Sequence, residues 1–396
     1  MPRRLNGRAV IIGGSMSGLL TGILLGRAGW DVEIYERLEI ELTGRGAGIV
    51  THPELWEALE AAGLDPVKDR GVDVQARKTL DRSGALIGER PFRQTFTSWE
   101  RLFQMLRDAF PPGRYHLARG LQSVEQHGEW VAARFADGSR AEGDLLIGAD
   151  GLRSTVRAQH LPDVAPAYAG YAAWRGLVAE SAVSEAVRRD IFEYFAFCLP
   201  PGEQILGYPV AGPGNDLRAG RRRYNFVWYR PADGEKDLRR LLTDKFGQTH
   251  AVSIPPPLIH PDVIREMRGA SEALLAPQFA EIVRRTDQPF LQPIYDLECP
   301  QMAFGRVAIL GDAAFVARPH VGAGVAKAAR DALALADALR SCETVETALL
   351  QFEASRLPVG RRVIQRARRL GAYMRSQDRT PEAVMAETAA LGFNDA

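Results

Sequence analysis

Three short segments, far apart in the chain, each end an apolar run on glycine and aspartate or serine. They are Val10-Ile-Ile-Gly-Gly-Ser-Met-Ser-Gly18, Leu145-Leu-Ile-Gly-Ala-Asp-Gly151 and Val307-Ala-Ile-Leu-Gly-Asp-Ala-Ala314. Such runs read as buried parallel strands whose polar ends bring N–H groups and carboxylates to the edge where open α/β sheets bind ligands. In the first segment Gly13 makes the turn, and Ser17 with Gly18 opens a helix whose unpaired N–H groups and dipole favour a diphosphate. Ser15 stands where the dinucleotide fingerprint has its middle glycine, and its small side chain still carries a donor. Glu36 ends the next strand, Asp31-Val-Glu-Ile-Tyr-Glu36. That is close to the spacing of about 20 residues expected for an acid gripping ribose hydroxyls.

One glycine loop is enough for a nicotinamide dehydrogenase, so the second and third segments call for a longer cofactor. Asp150-Gly151, followed by Arg153, Ser154 and Arg157, resembles one motif of the single-component flavoprotein aromatic hydroxylases. Gly311-Asp312, with Pro319 and Gly322-Ala-Gly324, resembles another, and the likeness runs from about Arg8 to about Leu339. Further segments are similar to the members of that family that oxidise hydroxypyridines: Ser15, Gly46-Ala-Gly-Ile-Val50, Gly170-Tyr-Ala-Ala-Trp-Arg-Gly176, Tyr208-Pro209 and Arg318-Pro-His320. The resemblance implies FAD as cofactor, NADH (or NADPH) as electron donor with NADH favoured, and O2 as co-substrate. It implies insertion of one oxygen atom into a small hydroxylated aromatic ring, a hydroxypyridine first, by way of a C4a-hydroperoxyflavin. The FAD contacts it implies are Gly13, Ser15, Ser17, Gly18, Glu36 and Arg37 at the adenosine and diphosphate end. Gly48, Ile49, Leu121, Asp150, Asp312, Pro319, Gly322, Ala323, Gly324 and Val325 complete the set. The chain also departs from the family: Phe315 replaces a usual histidine, Ala326 a usual asparagine, and an arginine often found in the flavin-facing turn is replaced near Trp99.

Hydroxylating a phenol-like ring calls for a base that removes the ring-hydroxyl proton near working pH. His52, His320, Tyr208 and Tyr229 are the candidates. His52 follows Gly48-Ile49, and His320 adjoins the proline that lines the substrate in the family. A lone histidine is more often structural, and a strand tyrosine more often packs with its hydroxyl at a rim. Trp174 and Trp228 read as core. No histidine or cysteine spacing suits a metal, so none is expected.

The elements that must position these groups follow from periodicity. The expected fold is α/β: a Rossmann-like FAD-binding domain with an interleaved antiparallel-sheet substrate domain and C-terminal helices, in a p-hydroxybenzoate hydroxylase-like arrangement. Residues 1–70, 98–165 and 296–396 are assigned to the FAD-binding part and its C-terminal helices, and residues 71–97 and 166–295 to the substrate domain. Helices are expected over 53–62, 98–110, 261–268 and 323–341, with more from 343 to about 374 and a fraying tail after Arg379. Asp137-Gly138 marks a hairpin turn. The run Arg218–Arg223 reads as a solvated hairpin tip.

Composition sets limits. Within 396 residues, 50 Lys+Arg balance 49 Asp+Glu for a net charge of +1, so no field favours nucleic acid. No apolar run approaches the roughly 20 residues that span a bilayer, and the amino terminus is not a signal peptide, so a cytoplasmic protein without a membrane partner is expected. Three spaced cysteines argue against disulfides. A homodimer stays open. Two rivals remain: another FAD-dependent oxidoreductase, either a halogenase or a reductase, and a non-enzymatic flavin-binding redox-signalling protein. The lysine and W-x-W-x-I-P segment of a halogenase are absent near Trp174.

Overall fold

A computed structural model of the chain describes residues 5–42, 48–65 and 71–372. Gly46-Ala47, and the tail expected to fray after Arg379, lie outside the described residues. Four of the five residues in the strand Arg8–Ile12 are buried, as are all of Leu145–Gly148 and Val307–Ile309. These are the continuous apolar runs of a sheet covered on both faces. They lie side by side and parallel, with Ile12 level with Gly148 and Gly148 level with Ile309. This register delivers all three motif segments to one sheet edge. The six-stranded order is Ala303–Phe304, Val307–Ile309, Leu145–Gly148, Arg8–Ile12, Asp31–Tyr35 and Tyr115–His116.

The second sheet has nine strands, and its pairs are antiparallel except where Phe195–Cys198 runs parallel to Val72–Leu80. Along its centre Ala173, Tyr229 and Gln204 form one row, and Arg175, Val227 and Leu206 the next row on the same face. The intervening row, Trp174, Trp228 and Ile205, turns the other way into a buried cluster with Phe279, Ile282 and Met267. The Asp137-Gly138 turn joins Trp130–Phe135 to Arg140–Gly143 in a small third sheet, with Gly138 at φ +83°. The strand Gly48–Val50 pairs with Leu86–Ser98 and so edges the nine-stranded sheet, although it lies within the sequence assigned to the first FAD-binding segment.

Two expectations are corrected. Where more than one helix is expected from 343 to about 374, the described residues form a single one, Val345–Gly371, which runs through Pro358. Phe352, Gly360, Val363, Ile364 and Ala367 continue one buried stripe across the proline. Their burial outweighs the roughly 3 kcal/mol that an interior proline costs. The Arg218–Arg223 run is not wholly a solvated tip: Arg222 is buried and pairs with Glu180 at 2.9 Å and with Glu193.

Candidate active site

The site begins at the turn after the first strand. Gly13 sits at φ +105°, and a Cβ there would fall 2.4 Å from the Ala149 carbonyl oxygen. Only glycine lets this turn press against the neighbouring motif segment. The helix Met16–Arg27 follows, and its N-cap residue Ser15 makes no side-chain capping bond. Glu36 is buried and accepts from the N–H of Gly14 at 2.9 Å and of Leu38 at 3.1 Å, so it braces the glycine turn as well as bordering the cleft. A cavity of about 210 Å³ opens here, bordered by Gly13, Ser15, Glu36, Arg37, Leu121 and Asp150.

Asp150 Oδ2 accepts from the N–H groups of Thr155 at 2.7 Å and Val156 at 3.3 Å, while its buried Oδ1 has no hydrogen-bond partner among the described residues. Arg157 donates to the carbonyls of Leu152 at 2.6 Å and Ala313 at 3.0 Å, which stitches the second motif to the third. Gly311 is at φ +61°, and a Cβ there would lie 2.3 Å from Ser17 Oγ. Ser17 and Gly18 therefore pack at the junction of the first and third motifs.

A second cavity, of about 250 Å³, lies between the face of the nine-stranded sheet and the loop leading into the helix Gly324–Ser341. Gly48, Ile49, Asp312, Pro319, Gly322 and Ala323 border it, as do Gly324 and Val325. Gly48 donates to Asn225 Oδ1 at 3.0 Å, and a Cβ on it would sit 2.3 Å from the Tyr208 ring. The residues fit an FAD. Glycine cradles that a side chain would fill, an acceptor without a partner, and two helix N-termini without side-chain caps follow one another along the same sheet edge.

All four residues singled out as bases border this second cavity. His52 caps the helix Pro53–Ala61 and donates from Nε2 to the Gly322 carbonyl at 3.0 Å, and burial lowers its pKa. His320 has both ring nitrogens engaged, Nε2 with the Tyr171 hydroxyl at 2.9 Å and Nδ1 with Gln204 Oε1 at 3.1 Å. Burial and the nearby Arg318 charge lower its pKa to about 3, although part of the ring surface borders the cavity. Tyr208 stacks on Phe96 at 4.0 Å, and burial pushes its phenol up to about 12. Burial raises Tyr229 still further. Both phenols are therefore proton donors near neutral pH.

Sequence reasoning missed Arg77, Gln94, Gln204 and Gln292, which share the cavity with Arg175. Arg175 had been noticed only as part of a motif, and it donates to Gln292 at 2.8 Å. Strand alternation was the available signal, since Gln204, Leu206 and Tyr208 fall on one face.

A two-lobed α/β fold with a dinucleotide cradle opening onto a small cavity defines a flavin-dependent oxidoreductase. The profile of the FAD binding domain-like family matches residues 168–296. Over 368 residues the chain is 33% identical to 2,6-dihydroxypyridine 3-monooxygenase of Paenarthrobacter nicotinovorans, which covers 93% of this chain and 91% of the relative. It is 32% identical over 377 residues to 3-amino-4-hydroxybenzoate 2-monooxygenase of Streptomyces cremeus, covering 92% and 86%. A solved 2,6-dihydroxypyridine-3-hydroxylase from Arthrobacter nicotinovorans superposes with a TM-score of 0.89 at 32% identity, over 94% of this chain and 93% of that one. The chain belongs to the FAD-dependent aromatic-ring monooxygenases. A Klebsiella pneumoniae protein solved with FAD and uric acid shares the fold, with a TM-score of 0.76 at 23% identity over 97% and 96% of the two chains.

Proposed function

We propose that this monooxygenase hydroxylates a hydroxypyridine with NADH as electron donor. The observation that carries the reading is the 33% identity to the dihydroxypyridine monooxygenase, spread over 93% of the chain. Bound FAD would supply the two-electron and oxygen chemistry. Gly13, Ser15, Glu36, Arg37, Leu121 and Asp150 would hold its adenosine and diphosphate, with Ser17 and Gly18 shaping the turn. Gly48, Ile49, Asp312 and the loop Pro319–Val325 would hold its ring end.

The chain's own residues divide the remaining work. Phe195, Phe197 and Leu206 make apolar walls that exclude water. The N-terminus of the helix Gly324–Ser341 favours negative charge on the ring it faces. Tyr208 and Tyr229 are placed to donate hydrogen bonds and are poor bases. His320 has no ring nitrogen to spare, so His52 is the remaining proposed base among the four.

The test is NADH oxidation by the FAD-loaded protein with and without 2,6-dihydroxypyridine, together with the product mass. Stimulation by the pyridine and a product heavier by one oxygen support the reading. Failure to respond to any hydroxypyridine, with turnover of another hydroxylated ring, would replace the substrate. A halogenated product would favour the halogenase.

A further inference from the structure

A line of polar side chains runs from an ion cluster to the cavity. Arg318 is anchored by Asp296, with Nε to Oδ1 at 2.9 Å and a terminal nitrogen to Oδ2 at 2.8 Å, and Arg368 approaches the same carboxylate at 3.3 Å. The Arg318 guanidinium also lies over the Tyr171 ring, 5.7 Å from its centroid. Gln204 Oε1 can only accept, so His320 Nδ1 donates to it, and Nε2 of the neutral ring accepts from the Tyr171 hydroxyl 2.9 Å away. With Nε2 accepting, a neutral His320 carries its proton on Nδ1 and donates it to Gln204 Oε1 at 3.1 Å. The oxygen of Gln204 is thereby committed, and its amide NH2 is turned away from the histidine.

Gln204 is only 5% exposed and borders the cavity, and among the described residues no protein acceptor meets its amide nitrogen. An NH2 at the cavity wall with no protein acceptor is open to a ligand atom. Arg175 lies two strands away on the same face and adds a positive charge to that wall.

Resting on the hydroxypyridine reading above, we propose that Gln204 is a specificity-determining residue that donates to a carbonyl or deprotonated hydroxyl oxygen of the substrate ring. His320 and Tyr171 act as positioning residues that fix which end of the Gln204 amide faces the cavity. Rings presenting a neutral donor group at that point are selected against, because the Gln204 NH2 then meets another donor.

The experiment titrates FAD-loaded variants with 2,6-dihydroxypyridine, read by the change in flavin absorption and by the KM and kcat of NADH oxidation. Gln204→Glu keeps an acceptor for His320 but removes the donor, and should weaken binding tenfold or more with flavin content unchanged. His320→Leu should weaken binding similarly. His320→Asn retains a side-chain N–H for Gln204, and should recover most of the binding lost in His320→Leu. Gln204→Glu binding at parental affinity overturns the proposal, and so does abolition of hydroxylation in His320→Asn, which would make His320 the base. If the parent ignores every hydroxypyridine, the substrate reading fails first. The relay is then decided by ring-nitrogen NMR of His320, assigned by its loss in His320→Asn: a proton on Nδ1 supports it and a proton on Nε2 overturns it.

Discussion

The buried ammonium of Lys327 donates to the Gly311 carbonyl at 2.8 Å, while Asp331, one helical turn further on, accepts the Gly311 N–H at 3.1 Å. Both backbone groups of the residue before Asp312 are thus held by the helix that follows. Lys327 and Asp331 are 1% and 2% exposed, and Arg356 closes the network on Asp331 at 2.8 Å. Removing one member strands a buried charge, which typically costs about 3–5 kcal/mol. Lys327→Met should therefore lower the unfolding free energy by roughly that amount and release FAD more readily in dialysis. A melting temperature and flavin content equal to the parent would refute the role.

Gly13→Ala tests the cradle. A methyl group at φ +105°, and 2.4 Å from the Ala149 oxygen, forces the glycine turn off the neighbouring strand. The variant is expected to fold but to bind FAD at least tenfold more weakly, measured by fluorescence titration of the apoprotein. Asp312→Ala should lower FAD affinity in the same assay, and unchanged retention would remove Asp312 from the site.

Acid sensitivity follows from the buried histidines. Burial lowers the pKa of His52, His160 and His320, the last to about 3 from the ordinary 6.5. A depressed pKa means that the unfolded chain binds the extra proton, so this contribution is complete above about pH 6.5 and is lost as pH falls toward 3. For His320 the slope approaches about 1.4 kcal/mol per pH unit between those two values. Denaturant titrations between pH 7.5 and 5.5 should show stability falling with acid. His320→Asn should remove part of the fall, and an identical slope in the variant would contradict the assignment.

His52→Gln tests the base. If His52 takes the ring-hydroxyl proton, kcat should fall most below the substrate's own pKa, with FAD binding retained. A parental rate and pH profile would leave His52 a structural role, its bond to Gly322 at 3.0 Å included.

The cofactor cradle was legible because its chemistry is written three times, in runs ending at Gly13, Asp150 and Asp312, and parallel register then aligns them without further instruction. The substrate wall was much less so. Gln204 and Gln292 look like ordinary solvent-facing positions of alternating strands, and only the loop Pro319–Val325 closing over that face makes them interior. The single helix Val345–Gly371 was obscured by Pro358, since a proline signals a break locally whereas the buried stripe that overrides it depends on tertiary packing. The two histidines stood out by residue type, but the partners that occupy their nitrogens, Gly322, Tyr171 and Gln204, come from other parts of the chain.

The substrate proposed for this FAD-dependent monooxygenase is a hydroxypyridine. Its most direct test is turnover of 2,6-dihydroxypyridine by the FAD-loaded protein with NADH under ¹⁸O2. A hydroxypyridine hydroxylase would show NADH oxidation that depends on the pyridine and a product carrying one ¹⁸O atom. NADH oxidation that is equally fast without the pyridine, or a product with no oxygen from ¹⁸O2, would contradict it.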